Sequence, residues 1–234
     1  MKRFFLILLL LLPLSLLAQR EITLHYQEVD HKDIHFGFTL GFNTMDFAFQ
    51  PSMQPFGRDS AVLVPELNKL SPGVHVGIVS SLRLTDYLDF RFLPGISLGQ
   101  RNVLFYRGQV LVKEMKIEST FIDIPILLKY KAERINNYRP YVVGGFNVRN
   151  DMARNKDFNE DEGIYIKMKP FDIYYELGFG IDFYLKYFKL STELKYSVGT
   201  MDVISHDASD EFPEYTDAVE FMKSRMFMIS FHFE

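Results

Sequence analysis

Residues 171–185 read FDIYYELGFGIDFYL, and the way this stretch alternates decides the fold. Phe171, Ile173, Tyr175, Leu177, Phe179, Ile181, Phe183 and Leu185 take every odd position, while Asp172, Tyr174, Glu176, Gly178, Gly180, Asp182 and Tyr184 take the even ones. A helix would spread the two sets around its circumference, whereas a strand sends them to opposite faces. The segment predicts a long strand with one apolar face and one small or charged face.

The same period of two returns in seven further segments. Residues 36–42 set Phe36, Phe38, Leu40 and Phe42 against Gly37, Thr39 and Gly41. Segment 74–84 sets Val74, Val76, Ile78, Leu82 and Leu84 against His75, Gly77, Val79, Ser81 and Arg83. Segment 88–98 sets Leu88, Phe90, Phe92, Ile96 and Leu98 against Asp89, Arg91, Gly95 and Ser97. In 121–130, Ile122, Ile124, Ile126, Leu128 and Tyr130 oppose Asp123, Pro125 and Lys129, and 141–148 alternates more weakly around Gly144-Gly145. Segment 188–198 opposes Phe188, Leu190, Leu194, Tyr196 and Val198 to Lys189, Ser191, Glu193, Lys195 and Ser197. The last, 226–233, opposes Phe227, Ile229, Phe231 and Phe233 to Met226, Met228, Ser230 and His232.

The links between these eight strands alternate in length. Long stretches (48–72, 99–118, 150–169 and 200–222) follow strands one, three, five and seven, and short ones (85–87, 131–137 and Lys186) follow strands two, four and six. An outer-membrane barrel has this form, with an even number of antiparallel strands, long outer loops and short periplasmic turns. A soluble sandwich or a soluble eight-stranded carrier would also alternate, but its apolar face would be the core and its links would not sort by length. Here charges sit mid-strand beside glycines on the small face, which suits a narrow interior, and Phe, Ile and Leu suit lipid. Tyr87, Tyr130, Tyr138, Tyr184 and Tyr187 gather at the short links, where an interfacial aromatic girdle belongs. The expected fold is all-β, an eight-stranded antiparallel transmembrane barrel over 35–234 in the outer membrane, with both termini periplasmic and lipid as its first partner.

Residues 1–18, MKRFFLILLLLLPLSLLA, read as a secretory signal peptide, with Lys2-Arg3 ahead of an apolar run and a small Ala18 at its end. Pro13 and Ser15 interrupt the run, which falls short of the ~20 residues of a spanning helix. Residues 19–34 form a periplasmic lead into strand one. The whole chain has 234 residues, 47% of them hydrophobic, with 23 Phe, 13 Tyr and no Trp. That apolar fraction excludes disorder. The absence of Cys excludes disulfides, thiolate metal sites and a lipid-anchored cysteine. A net charge of −4 without a Lys/Arg cluster argues against nucleic acid as a partner.

An eight-stranded interior is just wide enough to be filled by side chains. The predicted inward charges are Arg83, Arg91, Lys129, Lys189 and Lys195 against Asp89, Asp123, Asp172, Glu176, Asp182 and Glu193. A buried unpaired charge is costly, so this near balance predicts a polar lumen filled by a salt-bridged plug, and not a general pore.

Other clusters resemble sites and fail on their own terms. Ser205-His206-Asp207 has the residue types of a hydrolase, but neighbours on an extended segment point apart and a nucleophile needs its base within hydrogen-bond reach. His31 and His35 with Asp30 and Asp33 read as a solvated lead. Residues 157–161 have the first oxygen spacings of a calcium loop, yet Glu162 stands where the turn glycine belongs and Met168 where the bidentate Glu belongs. Gly178-Phe179-Gly180 makes room inside the barrel and is no nucleotide loop. The expectation is no catalytic, cofactor or metal site. Among the long loops, 200–222 carries seven acids and no Lys or Arg, while 99–118 carries Arg101, Arg107, Lys113 and Lys116 and predicts a hairpin about Arg107-Gly108-Gln109 that rises beyond the membrane. Loops of this size on a rigid scaffold are where binding residues concentrate.

Strand one runs His35-Phe-Gly-Phe-Thr-Leu-Gly-Phe-Asn-Thr-Met-Asp46-Phe47. This resembles the start of the PorT family, small outer-membrane barrels of Bacteroidetes-type bacteria. Ile124-Pro-Ile-Leu-Leu-Lys129-Tyr130 and Arg139-Pro-Tyr-Val-Val-Gly-Gly145 are similar to the wider superfamily of such barrels. The resemblance implies a component of the type IX secretion machinery, which exports proteins bearing a C-terminal sorting domain and in some species supports gliding, and so implies other secretion-system proteins as partners. It supplies no catalytic residues. A filled lumen would make such a barrel an accessory subunit. An OmpA-like envelope or adhesion barrel and a lipid-A-modifying enzyme are the competing expectations.

Overall fold

A computed structural model describes residues 24–26, 32–52, 55–56, 61–67, 71–154, 163–206 and 213–234. The signal peptide, most of the lead and the 157–161 acidic stretch lie outside the described residues. The strands are β1 (Ile34–Pro51), β2 (Pro55–Phe56), β3 (Ala61–Leu67), β4 (Pro72–Arg83), β5 (Leu88–Phe92), β6 (Gly95–Arg107), β7 (Val110–Lys131), β8 (Tyr138–Asp151), β9 (Phe171–Tyr184), β10 (Lys189–Gly199) and β11 (Val219–Phe233), with one short α-helix among the described residues, α1 (Pro213–Asp217).

Every strand pairs antiparallel with its neighbours, and β1 closes the ring by pairing with both β4 and β11. Going round, β4 meets β5 and β6, both of these meet β7, and β8, β9 and β10 follow to β11. β5 and β6 share one place in the wall, so the ring has eight positions, as the alternation predicts. The single strand expected over 88–98 is interrupted at Leu93-Pro94. Proline has no N–H to give the ladder, and its carbonyl instead accepts from Ile78 N–H at 2.9 Å.

The period of two sets the outward face. Phe36, Leu177 and Phe179 are 71%, 72% and 61% exposed, while Arg91 and Arg149 on the opposite face are 0% exposed. Tyr87, Tyr130, Tyr138 and Tyr187 stand exposed near the short links. Tyr184 does not join them. It shares the even, inward parity of 171–185 and is buried, with the Arg134 guanidinium 3.7 Å over its ring.

Four strands run well past their expected ends on the long-loop side. β6 and β7 pair from Gly95↔Asp123 to Arg107↔Val110, with a register shift between Phe105 and Tyr106, and turn at Gly108, whose φ of +65° suits a residue without a Cβ. β3 adds to β6 from Leu63↔Arg107 to Leu67↔Val103, and β1 stays paired with β11 as far as Pro51↔Val219. One side of the wall thus rises as a crown. Its inner face carries Phe47, Val103, Phe105, Met115, Ile117, Val219 and Met222, all buried. Residues 163–168 and 203–204 cross this face, bridged at Met168↔Ile204 and tied to β11 by Val203 N–H to the Met222 carbonyl (2.9 Å). Ile166, Met168, Ile204 and Tyr215 of α1 complete an apolar core. The acidic 200–222 loop is in its described part a packed cover.

Candidate functional site

The interior below the crown is the part of this fold that could carry chemistry, and the sheet register decides who meets whom there. At the short-turn end, Arg91 donates to Glu193 (Nη1 to Oε2, 3.2 Å) and to Glu234 (Nη2 to Oε1, 2.9 Å). Lys189 reaches the other Glu234 oxygen at 2.8 Å. Lys129 donates to both oxygens of Asp182 at 2.7 Å and lies 3.7 Å over the Tyr141 ring. The Tyr141 hydroxyl donates to Glu193 at 3.0 Å, and its ring occupies the space over Gly180, where an added Cβ would come within 2.5 Å of the phenol oxygen. Lys131 closes this layer on Asp89 at 2.5 Å.

A second layer lies toward the long-loop end. Arg149 donates from Nε to Asp123 (2.6 Å) and from Nη2 to Glu176 (2.8 Å), and Lys195 takes the second Glu176 oxygen at 2.9 Å. Asn147, Ser197 and Ser97 fill remaining acceptor positions on the two carboxylates. Above it, Arg101 donates to Ser224 at 2.9 Å and to Ser119, lies 3.4 Å from Asp151, and packs 4.1 Å from the Phe47 ring and 5.3 Å from that of Phe121. Met45, Phe121, Met226 and Met228 form an apolar layer at the same level. The apolar crown sits on top.

Of the eleven charges predicted for the lumen, Asp89, Arg91, Asp123, Lys129, Asp172, Glu176, Asp182, Lys189, Glu193 and Lys195 are buried. Nine of these ten meet opposite charges at the distances above or, for Lys195, through Glu176. Asp172 stands apart beside Arg149 in the register, and its Oδ1 accepts from the backbone N–H of Ile173 (2.7 Å) and Met201 (3.0 Å). Arg83 is a correction. It is the last residue of β4, half-buried, and pairs with the exposed Asp86 of the adjoining turn, because a side chain at the very end of a strand reaches the rim.

The alternation also left members out. Arg149, Lys131 and Glu234 each follow the expected segments by one residue and keep the inward parity, and Arg101 and Asp151 do so on the longer strands. Carrying the parity one residue further would have found Arg149, Lys131 and Glu234, and three residues further Arg101 and Asp151. Ser205 serves the crown through its backbone, donating to the Lys167 carbonyl at 2.9 Å, while His206 is exposed and Asp207 lies outside the described residues. Asp33 accepts from Arg83 N–H through its carbonyl, and His35 begins the inward face of β1.

Residues 18–205 match the model of the outer membrane protein beta-barrel domain. The chain belongs to this family. Among solved structures it is similar to Neisserial surface protein A (TM-score 0.44, 8% identity, covering 86% of this chain and 98% of that one). It is also similar to the outer membrane protein OprG from Pseudomonas aeruginosa (TM-score 0.42, 12% identity, covering 85% of this chain and 92% of that one). No curated protein matches it. The ion-paired interior is therefore the lumen of an outer-membrane barrel, and the apolar outward face is its lipid surface.

Proposed function

We propose that this protein is a closed, non-enzymatic outer-membrane barrel that serves as an accessory, partner-binding component of a type IX protein secretion machinery, and not as its conduit. The observation that carries the closed reading is the ion-paired lumen under an apolar crown. Two cavities among the lumen side chains, one beside Arg149 and His75 and one beside Arg101 and Asp172, measure about 10 Å³ each, room for a single water. No polypeptide passes such a filling. The secretion assignment is supported by the resemblance of His35 through Phe47 to the PorT family. The sorting of long and short links supports an orientation with the crown outside and both termini in the periplasm, which leaves the crown and the short-turn rim for partner proteins.

Deleting the gene tests the assignment. Proteins bearing C-terminal sorting domains should then accumulate in the periplasm, and secretion that continues unchanged would overturn it. An altered lipid A mass spectrum after deletion would point to the enzyme reading. Planar-bilayer recording tests closure separately, and a large, stable open state would contradict it.

A further inference from the structure

A small polar cavity interrupts the filling of the lumen at one place. In one row around the barrel stand His75 of β4, Gly41 of β1, Ser230 of β11 and Glu193 of β10. In the adjacent row toward the short-turn end stand Gly77, Thr39, His232 and Ser191. Beside these rows a cavity of about 10 Å³ is bounded by Thr39, His75, Asp123, Arg149, Ser230 and His232, among others. That is room for one water molecule.

Three of these residues carry buried polar atoms with no protein hydrogen-bond partner, namely Thr39 Oγ1, Arg149 Nη1 and both ring nitrogens of His232. Thr39 and His232 lie directly opposite each other across β1 and β11, so their side chains are immediate neighbours. His232 Nε2 lies 3.5 Å from Glu193 Oε2, a placement that favours the proton on Nε2 and makes Nδ1 an acceptor. Thr39 and Arg149 have hydrogens to donate. Buried polar groups of this kind are satisfied in folded proteins by protein or by ordered water, and two to four partners suffice to hold a water.

We propose that this cavity is a binding site for one water molecule, which donates to His232 Nδ1 and accepts from the Thr39 hydroxyl and from Arg149 Nη1. The nearby charges favour a neutral ligand. Asp123 and Glu176 already face Arg149 and Lys195, and Glu193 already faces Arg91, so neither a cation nor an anion gains a free counter-charge. The water joins Thr39 and His232 to the Arg149–Asp123–Glu176 layer, and His232 Nε2 approaches Glu193 of the Arg91 layer at 3.5 Å.

The test uses the intact barrel. A crystal structure at a resolution that shows ordered water should have one peak within hydrogen-bond distance of Thr39 Oγ1 and His232 Nδ1. In micelles, histidine side-chain ¹⁵N spectra should show Nδ1 of His232 unprotonated and accepting. Thr39→Val keeps the shape and removes the donor, so it should shift that resonance, while Thr39→Ser should preserve it and Thr44→Val, on the outward face, should leave it unchanged. A dry cavity, an anomalous signal there after bromide soaking, or a His232 resonance indifferent to Thr39→Val would overturn the proposal.

Discussion

Below Ser119 the interior of the barrel is filled by Asp123, Lys129, Arg149 and Glu176, and above it by Phe105, Met115, Ile117 and Met222. A single strand crosses from one regime to the other. Along β7, Glu114, Lys116 and Glu118 point out while Met115 and Ile117 point in; from Ile122 to Leu128 the outward residues are Ile and Leu and the inward ones include Asp123 and Lys129. The parity never changes, but the polarity of both faces inverts. Where lipid surrounds the wall the apolar residues are needed outside, and the narrow interior takes paired charges. Where water surrounds it, the apolar residues turn inward to make an ordinary core. The inversion falls between Thr120 and Ile122 on β7, Leu98 and Gln100 on β6, Phe42 and Thr44 on β1, and Arg225 and Phe227 on β11, and so draws the membrane edge around the crown side of the barrel.

The two fillings should fail differently. Arg149 is fully buried and faces two carboxylates, so Arg149→Leu leaves Asp123 and Glu176 short of a counter-charge in the buried interior. Breaking a buried pair in this way costs about 3–5 kcal/mol. Urea unfolding of the lipid-refolded barrel, followed by its heat-dependent gel mobility, should show the whole barrel weakened by that amount. A loss below about 1 kcal/mol, the range of a solvated ion pair, would mean that the lumen is wet and that the contrast between the halves is weaker than drawn here.

In the crown the expected damage is local. Phe105 packs 5.0 Å edge-on against Tyr215, which itself stacks on Tyr165 at 5.4 Å. Burial, and then the neighbouring Glu214, push the Tyr215 hydroxyl above the usual phenol range, so the cluster stays neutral and apolar. Phe105→Ala should cost about 3 kcal/mol. Limited proteolysis should then cut the segments over the crown while the strands below remain protected. If the entire barrel unfolded with the crown, the two regions would be one cooperative unit.

The membrane edge can be mapped with a matched pair. Phe179 lies mid-strand on the outward face of β9 and Lys116 on the outward face of β7 above the inversion. Phe179→Arg should destabilise the lipid-embedded barrel by about 2–4 kcal/mol, as charges do near the bilayer midplane. Lys116→Ala should change little, within about 0.5 kcal/mol. Equal effects at the two positions would misplace the edge.

Period two made the ring, the strand number and most of the lumen legible, because each strand faces two different media and the side chains must sort between them. Strand ends were less legible for the same reason. Beyond Ile122 toward the crown, β7 keeps alternating with reversed polarity, so residues 110–120 read rightly as a hairpin beyond the membrane but not as the continuation of the same strand. Arg149, Asp151 and Arg101 were missed with those ends. Ile166, Ile204 and Tyr215 of the crown had no signal at all, since they sit on irregular segments or on the single turn of α1, without periodicity, and are buried only by contacts with residues far away in sequence, such as Phe105. Arg83 erred the other way, with the right parity at a position where the strand has run out.

The smallest effect expected concerns the charges that first drew notice to the outer loops. The basic 99–118 hairpin and the acidic 200–222 loop do meet, through Arg107 Nη2 and Glu214 Oε2 at 3.5 Å, but both side chains are about a third exposed. An ion pair of that kind contributes little, because water screens it and two long side chains must be held still, so Arg107→Ala should cost no more than about 0.5 kcal/mol. The same substitution should leave the proteolytic pattern of the crown as it is, in contrast to Phe105→Ala. If instead Arg107→Ala opened the crown as readily as removing the Phe105 ring, the cover would be latched by charge and not by its apolar core. The crown would then loosen with rising salt, which a proteolysis series in sodium chloride reads directly.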